Sequence, residues 1–124
     1  MKQVYQGRYA TYAIKDEILY VTFNEHLEIT YEVALTIVNE RLSFQSFKHY
    51  AVICIIPSIT YITREARNYL SLYGSSLLKQ VALVCSNSTL YTMAEFYIEI
   101  DHPKVHTKVF HSLKQAEQYI YSLK

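Results

Sequence analysis

Between Tyr50 and Leu70 the chain reads YAVICIIPSITYITREARNYL, and this stretch carries most of the information about the architecture. Ala51 to Ile56 is an unbroken apolar run, the pattern of a strand buried on both faces and hence of the middle of a sheet. Pro57 and the hydroxyl-rich residues after it read as a turn. Thr63 is well placed to cap the helix that follows, in which Ala66, Tyr69, Leu70 and Tyr73 recur at i, i+3, i+4 and i+7, and Gly74 is a natural stop.

Working outward, RYATYAIK (Arg8 to Lys15) and ILYVTF (Ile18 to Phe23) read as strands rich in β-branched and aromatic residues. Their link, Asp16 and Glu17, is too short for a parallel crossover and forces an antiparallel hairpin. After NEHLEI, Thr30 caps a helix with Tyr31, Ala34, Leu35, Val38 and Leu42 on its apolar face, while Glu32, Asn39, Glu40 and Arg41 point away. Beyond Gly74, QVALVCS (Gln80 to Ser86) is a second buried strand. The next helix carries Leu90, Met93, Ala94 and Tyr97 on one stripe, with Ser88 as its cap and Pro103 preventing its continuation. VHTKVF (Val105 to Phe110) alternates as a half-exposed edge strand should, and Ser112 caps a last helix with Leu113, Ala116, Ile120 and Leu123 facing inward. The order ββαβαβαβα predicts an α/β fold: an open, mixed, mostly parallel sheet with right-handed crossovers and an N-terminal antiparallel hairpin.

The 124 residues match one domain spanning 1–124, and 51% apolar against 19% charged residues excludes disorder. Net charge is +1 with both signs spread along the chain, so no basic field exists to collect a nucleic acid. MKQVYQGRYATYA lacks the apolar core of a signal peptide, and no apolar run approaches the ~20 residues that span a bilayer, so a cytoplasmic location without a membrane span is expected. Cys54 and Cys85 sit in separate apolar runs without CxxC spacing and read as small buried hydrophobes. The 13 tyrosines read as amphipathic residues at the edges of core-facing stripes, with a ligand groove as the alternative.

In open α/β sheets, ligands collect beyond the carboxyl ends of parallel strands. That rule gathers Asn24 to His26, Ser58 with Thr60 and Thr63, Ser86 to Thr89, and His111 with Ser112 on one edge, although helix capping explains most of these hydroxyls. CSNSTL lacks the glycines of a nucleophile elbow, and the only glycines, Gly7 and Gly74, leave no phosphate loop. On a strand His106 and His111 point to opposite faces, and His102 falls in a loop, so no metal site is assigned. Glu25, Glu28 and Asp101 lack a second carboxylate for acid–base chemistry. No catalytic residue and no cofactor are assigned.

The topology and the stretches PSITYITREAR, QVALVCSNS and KVFHSLKQAEQYIYSL resemble the STAS domain, in particular the SpoIIAA-like branch grouped as STAS/SEC14-like proteins, many of them small bacterial proteins. The resemblance covers nearly the whole chain. It implies a non-enzymatic regulatory module that binds a protein partner, with a small-molecule or lipid-binding SEC14-like protein as the alternative; a second copy of the chain is among the candidate partners. In phosphorylatable members a serine at a helix start is the switch. Laid on that motif, Thr63 takes the place of its Asp, Arg64 and Glu65 those of its hydroxyls, and Ala66 that of its Gly. The switch serine is therefore missing, and Ser58, Thr60 and Thr63 are the nearby hydroxyls left to carry a phosphate. The binding edge expected on these grounds comprises Ser58, Thr60, Thr63, Arg64, Arg67, Ser86 and Ser88.

Overall fold

A computed structural model of the chain describes residues 3–123. Met1, Lys2 and Lys124, and with them the two ends of the expected 1–124 unit, lie outside the described residues. In chain order the strands and helices are β1 (Gln3–Gln6), β2 (Ala10–Lys15), β3 (Ile18–Phe23), β4 (Leu27–Ile29), α1 (Tyr31–Gln45), β5 (Tyr50–Ile55), β6 (Ile59–Ile62), α2 (Arg64–Leu72), β7 (Leu78–Val84), α3 (Ser88–Phe96), β8 (Thr107–Phe110) and α4 (Leu113–Ser122). The fold is α/β, with a mixed, mostly parallel sheet. Three short strands, β1, β4 and β6, add to the expected order.

The main sheet has the order β1-β2-β3-β5-β7-β8. Asp16 and Glu17 both have positive φ (53° and 64°), as a two-residue hairpin requires, and Lys15 pairs with Ile18 across the turn. From β3 onward the strands are parallel, and each crossover moves the chain one strand in the same direction. Right-handed crossovers therefore place α1, α2 and α3 together on one face, and only α4, which follows the last strand, packs on the other. The period-two pattern of the strands serves both faces. Tyr12, Leu19, Val21, Val52, Leu83 and Cys85 face the three helices. Ile18, Ile53, Ala82 and Val84 face Ala116 and Ile120 of α4. Because β5 has neighbours on both sides and helices above and below, its apolar run is unbroken.

The second sheet pairs β4 with β6 in parallel. The PSIT segment is thus not only a turn. After Pro57 the chain runs as a short strand before Thr63, whose Oγ accepts from Ala66 N at 3.1 Å and starts α2. Ser58 Oγ accepts from His26 N at 2.7 Å, and Thr60 Oγ donates to His26 O at 3.1 Å. Both hydroxyls hold the β3–β4 turn, where His26 has φ 56°.

Several side chains depart from their expected sides. Arg41, expected to point away from the core, is 4% exposed, and Gln45 is 1% exposed. The buried stripe of α1 is Val33, Ala34, Ile37, Val38, Arg41 and Gln45, rotated from the expected one, and Tyr31 is exposed. Leu113 and Leu123, expected inward, are exposed, and α4 turns Ala116 and Ile120 onto the sheet instead. Asn87, not Ser88, caps α3: Asn87 has the extended backbone of a cap and its Oδ1 accepts from Thr89 N and Leu90 N, while Ser88 is already the first helical residue. Gly74 ends α2 without a positive φ, in a 3-10 turn over Tyr73–Ser75. Gly7 is required for space instead: a Cβ there would collide with the Glu40 carboxylate and come within 2.8 Å of the Tyr12 ring.

Candidate functional site

The strand order from β3 to β8 never reverses, so the parallel region has no switch point of the kind that opens a ligand crevice beyond strand ends. Four hydroxyls of the expected edge are occupied in local structure. Ser58, Thr60 and Thr63 hold a turn and a cap, as described, and Ser112 caps α4 by accepting from Gln115 N. Ser86, Ser88 and Arg64 are exposed. His111 stacks on Tyr91 with ring centroids 3.9 Å apart. Among the described residues, no three His, Cys, Asp or Glu side chains converge in a way that would hold a metal ion.

The space in this molecule lies between the sheet and the α1–α3 layer. A cavity of about 540 Å³ lies there, open to solvent on one side. Its floor is the sheet face formed by Val21, Val52, Cys54, Val81 and Leu83. Ile29, Ile59 and Ile62 of the small sheet wall it at the carboxyl ends of the strands, and Arg41, Gly74 and Leu78 line it toward their amino ends. The small sheet is therefore what gives the Ile59–Ile62 segment its place: the hydroxyls fasten it from outside while its isoleucines face the cavity.

An enclosed void costs about 24 cal/mol per Å³, so a dry, closed cavity of 540 Å³ would cost about 13 kcal/mol, comparable with the whole stability of a typical domain. Such a space is kept only if it is open or filled, and an apolar occupant recovers the contacts its lining has lost.

The opening is bordered by α3 and the five residues after it. Tyr97–Asp101 form a π-helical turn, a rare geometry that recurs at functional sites. Met93, Phe96 and Ile100 line the cavity and are also exposed, Phe96 by 57% and Ile100 by 64%. Met93 was expected in the inward stripe of α3, but the space beside it is the opening of the cavity. The π turn brings Asp101 to Arg67 of α2, with Arg67 Nε 3.6 Å from Asp101 Oδ2. Both atoms are shielded from solvent, and neither has a hydrogen-bond partner.

Arg41 makes the polar end of the cavity. Its guanidinium donates to Gln45 Oε1, to Ser76 O at 3.0 Å and to Gly74 O at 3.2 Å, while Gln45 Nε2 donates to Lys48 O and Leu77 O, both at 2.9 Å. This cluster ties the end of α1 to the loop entering β7. Burial lowers the Arg41 pKa to about 10, partly offset by nearby Tyr12. Burial also raises the phenol of Tyr97, with the Asp101 carboxylate as the next cause.

The two cysteines are unpaired, and both line the cavity. Burial pushes the Cys85 thiol up to about 11, and burial, then proximity to Cys85, raises Cys54 as well. Against the usual value of 9.0, the Cys85 shift alone leaves about 100-fold less thiolate at pH 8. Because a thiolate of higher pKa is also more nucleophilic, alkylation by iodoacetamide at pH 8 is expected to be at least about tenfold slower in the folded protein than in urea. An apolar occupant should slow Cys54 further. Equal rates in the folded and unfolded chain would contradict the burial of Cys85 and the half-buried position of Cys54.

These features define an α/β protein with a cavity between its sheet and one helical layer. The chain belongs to the family described as Domain of unknown function (DUF7793), whose model matches residues 12–124. Searches of curated proteins and of solved structures find no match.

Of the sequence-derived candidates, only Arg67 lines the cavity. Sequence reasoning set Asp101 aside for want of a second carboxylate, placed Arg41 on the outer face of α1, and held a ligand groove only as an alternative without locating it. One signal was present: Ala34, Ile37, Val38, Arg41 and Gln45 recur at helical spacing, which places both polar residues on the apolar face of α1.

Proposed function

We propose that this protein is a non-enzymatic binding module for an apolar small molecule, held between the sheet and helices α1–α3. The cavity supports this reading: its volume lies within the roughly 300–1,000 Å³ of small-molecule sites, and it has an apolar lining with a few polar groups. The SEC14-like side of the resemblance agrees with it. No nucleophile, base and oxyanion donor set stands around the cavity among the described residues, so binding rather than turnover is the chemistry it supports.

The test is thermal unfolding with and without a medium-chain alkyl compound such as 1-decanol. At 100 times its dissociation constant a ligand of the folded state adds about 2.7 kcal/mol, a rise in Tm of about 10 °C for a domain of this size. A sugar of comparable size should leave Tm unchanged. If no alkyl compound raises Tm, the reading fails.

A second reading is a regulatory role through a protein partner, favoured by the STAS-like resemblance and by the two sides of α2. Arg67 and Leu70 line the cavity, while Arg64 and Glu65 are exposed. A partner docked on Arg64 and Glu65 would share that helix with the ligand. Among the described residues no helix is long and apolar enough to cross a membrane.

A further inference from the structure

We infer that the occupant of the cavity is an amphiphile with an uncharged polar end that both donates and accepts a hydrogen bond, such as an alcohol or a primary amide, and that the Arg67–Asp101 pair reads that end. The inference rests on the binding reading above and deepens it.

The observation is an unfilled pair of hydrogen-bonding positions. Arg67 Nε can only donate and Asp101 Oδ2 can only accept; they stand 3.6 Å apart, too far for a hydrogen bond. These two atoms are hidden from solvent without hydrogen-bond partners; the Asp101 side chain is 9% exposed, and the Arg67 side chain reaches solvent elsewhere, being 37% exposed. Leaving such groups unsatisfied is costly, so the site is short of one acceptor for Nε and one donor for Oδ2. A hydroxyl supplies both from one atom, and a primary amide supplies them from its oxygen and nitrogen.

The same pair disfavours anions. A carboxylate or phosphate would accept from Arg67 but offer nothing to Asp101 Oδ2, and it would bring like charge against that carboxylate. Arg67 is already neutralised by Asp101. The other cation of the cavity, Arg41, directs its terminal nitrogens to Gln45, Gly74 and Ser76. The apolar part of the ligand then lies along Cys54, Val81 and Leu83, with Phe96 and Ile100 bordering its entry.

The experiment is displacement of Nile red from the unmodified protein at pH 7.5 by 1-decanol, decanamide, decane, decanoate and decyl phosphate, each below its aggregation limit. Decanol and decanamide should bind at least about tenfold tighter than decane, and decanoate and decyl phosphate at least about tenfold weaker than decanol. In Asp101→Asn the repulsion is gone, so decanoate should approach decanol in affinity. If decane matches decanol, water alone serves the pair and the inference is overturned while the binding reading stands. If an anion binds tightest to the unmodified protein, the inference is likewise overturned. If none of the compounds displaces the probe, the binding reading itself falls.

Discussion

Val81→Phe should weaken small-molecule binding about 100-fold while leaving the fold intact or more stable. Val81 lies on β7 in register with Val52 of β5, and its side chain is half-buried on the cavity floor. A benzyl group at that position projects into space that no side chain now fills. For the protein alone this is a cavity-filling change, typically about +0.5–2 kcal/mol. For a ligand it is an overpacking clash of about 2–3 kcal/mol, which converts to a loss of about 100-fold in affinity. Titration with 1-decanol and urea unfolding of the same preparation read both effects. Unchanged affinity in a folded variant would mean that the ligand does not lie on this face.

Arg41→Met should have the largest effect on stability. Met keeps much of the stem volume but removes the guanidinium that serves Gly74 O, Ser76 O and Gln45 Oε1. Each buried acceptor left without a partner costs about 1–3 kcal/mol, offset in part because the charge no longer has to be desolvated. A net loss of about 2–4 kcal/mol is expected, seen as a lower urea midpoint at unchanged slope. Arg64→Met, on the exposed face of α2, is the control and should change stability by no more than about 0.5 kcal/mol. If the two variants lose the same small amount, Arg41 is not the clamp between α1 and the loop entering β7.

Much of the fold was legible because burial imposes periods that sequence displays. The unbroken run of β5, the alternation of β8 and the two-residue link at Asp16 and Glu17 each leave one physical solution, and the chain adopts it. The small sheet was not legible. Leu27–Ile29 and Ile59–Ile62 are too short to show a period, and their pairing joins residues about thirty positions apart.

The site was less legible still. Hydroxyls near helix starts drew attention because they are chemically versatile, but Ser58, Thr60 and Thr63 use that versatility on His26 and Ala66. A cavity is an absence of side-chain volume among several elements, and no local pattern records it. Arg41 could have been placed inside from its spacing, yet its charge argued for the surface. Asp101 reaches the cavity through a π turn, which shifts the helical phase relative to the α-helix before it.

The most direct measurement is a methyl NMR titration of the protein with 1-decanol, because the two faces of the sheet provide an internal control. Saturable shifts are expected at Ile29, Ile62, Val81 and Leu83, which line the cavity. Ile18, Ile53, Val84 and Ile120, packed on the α4 face, should remain in place. Shifts spread equally over both faces, or none at saturation, would contradict a ligand site between the sheet and helices α1–α3.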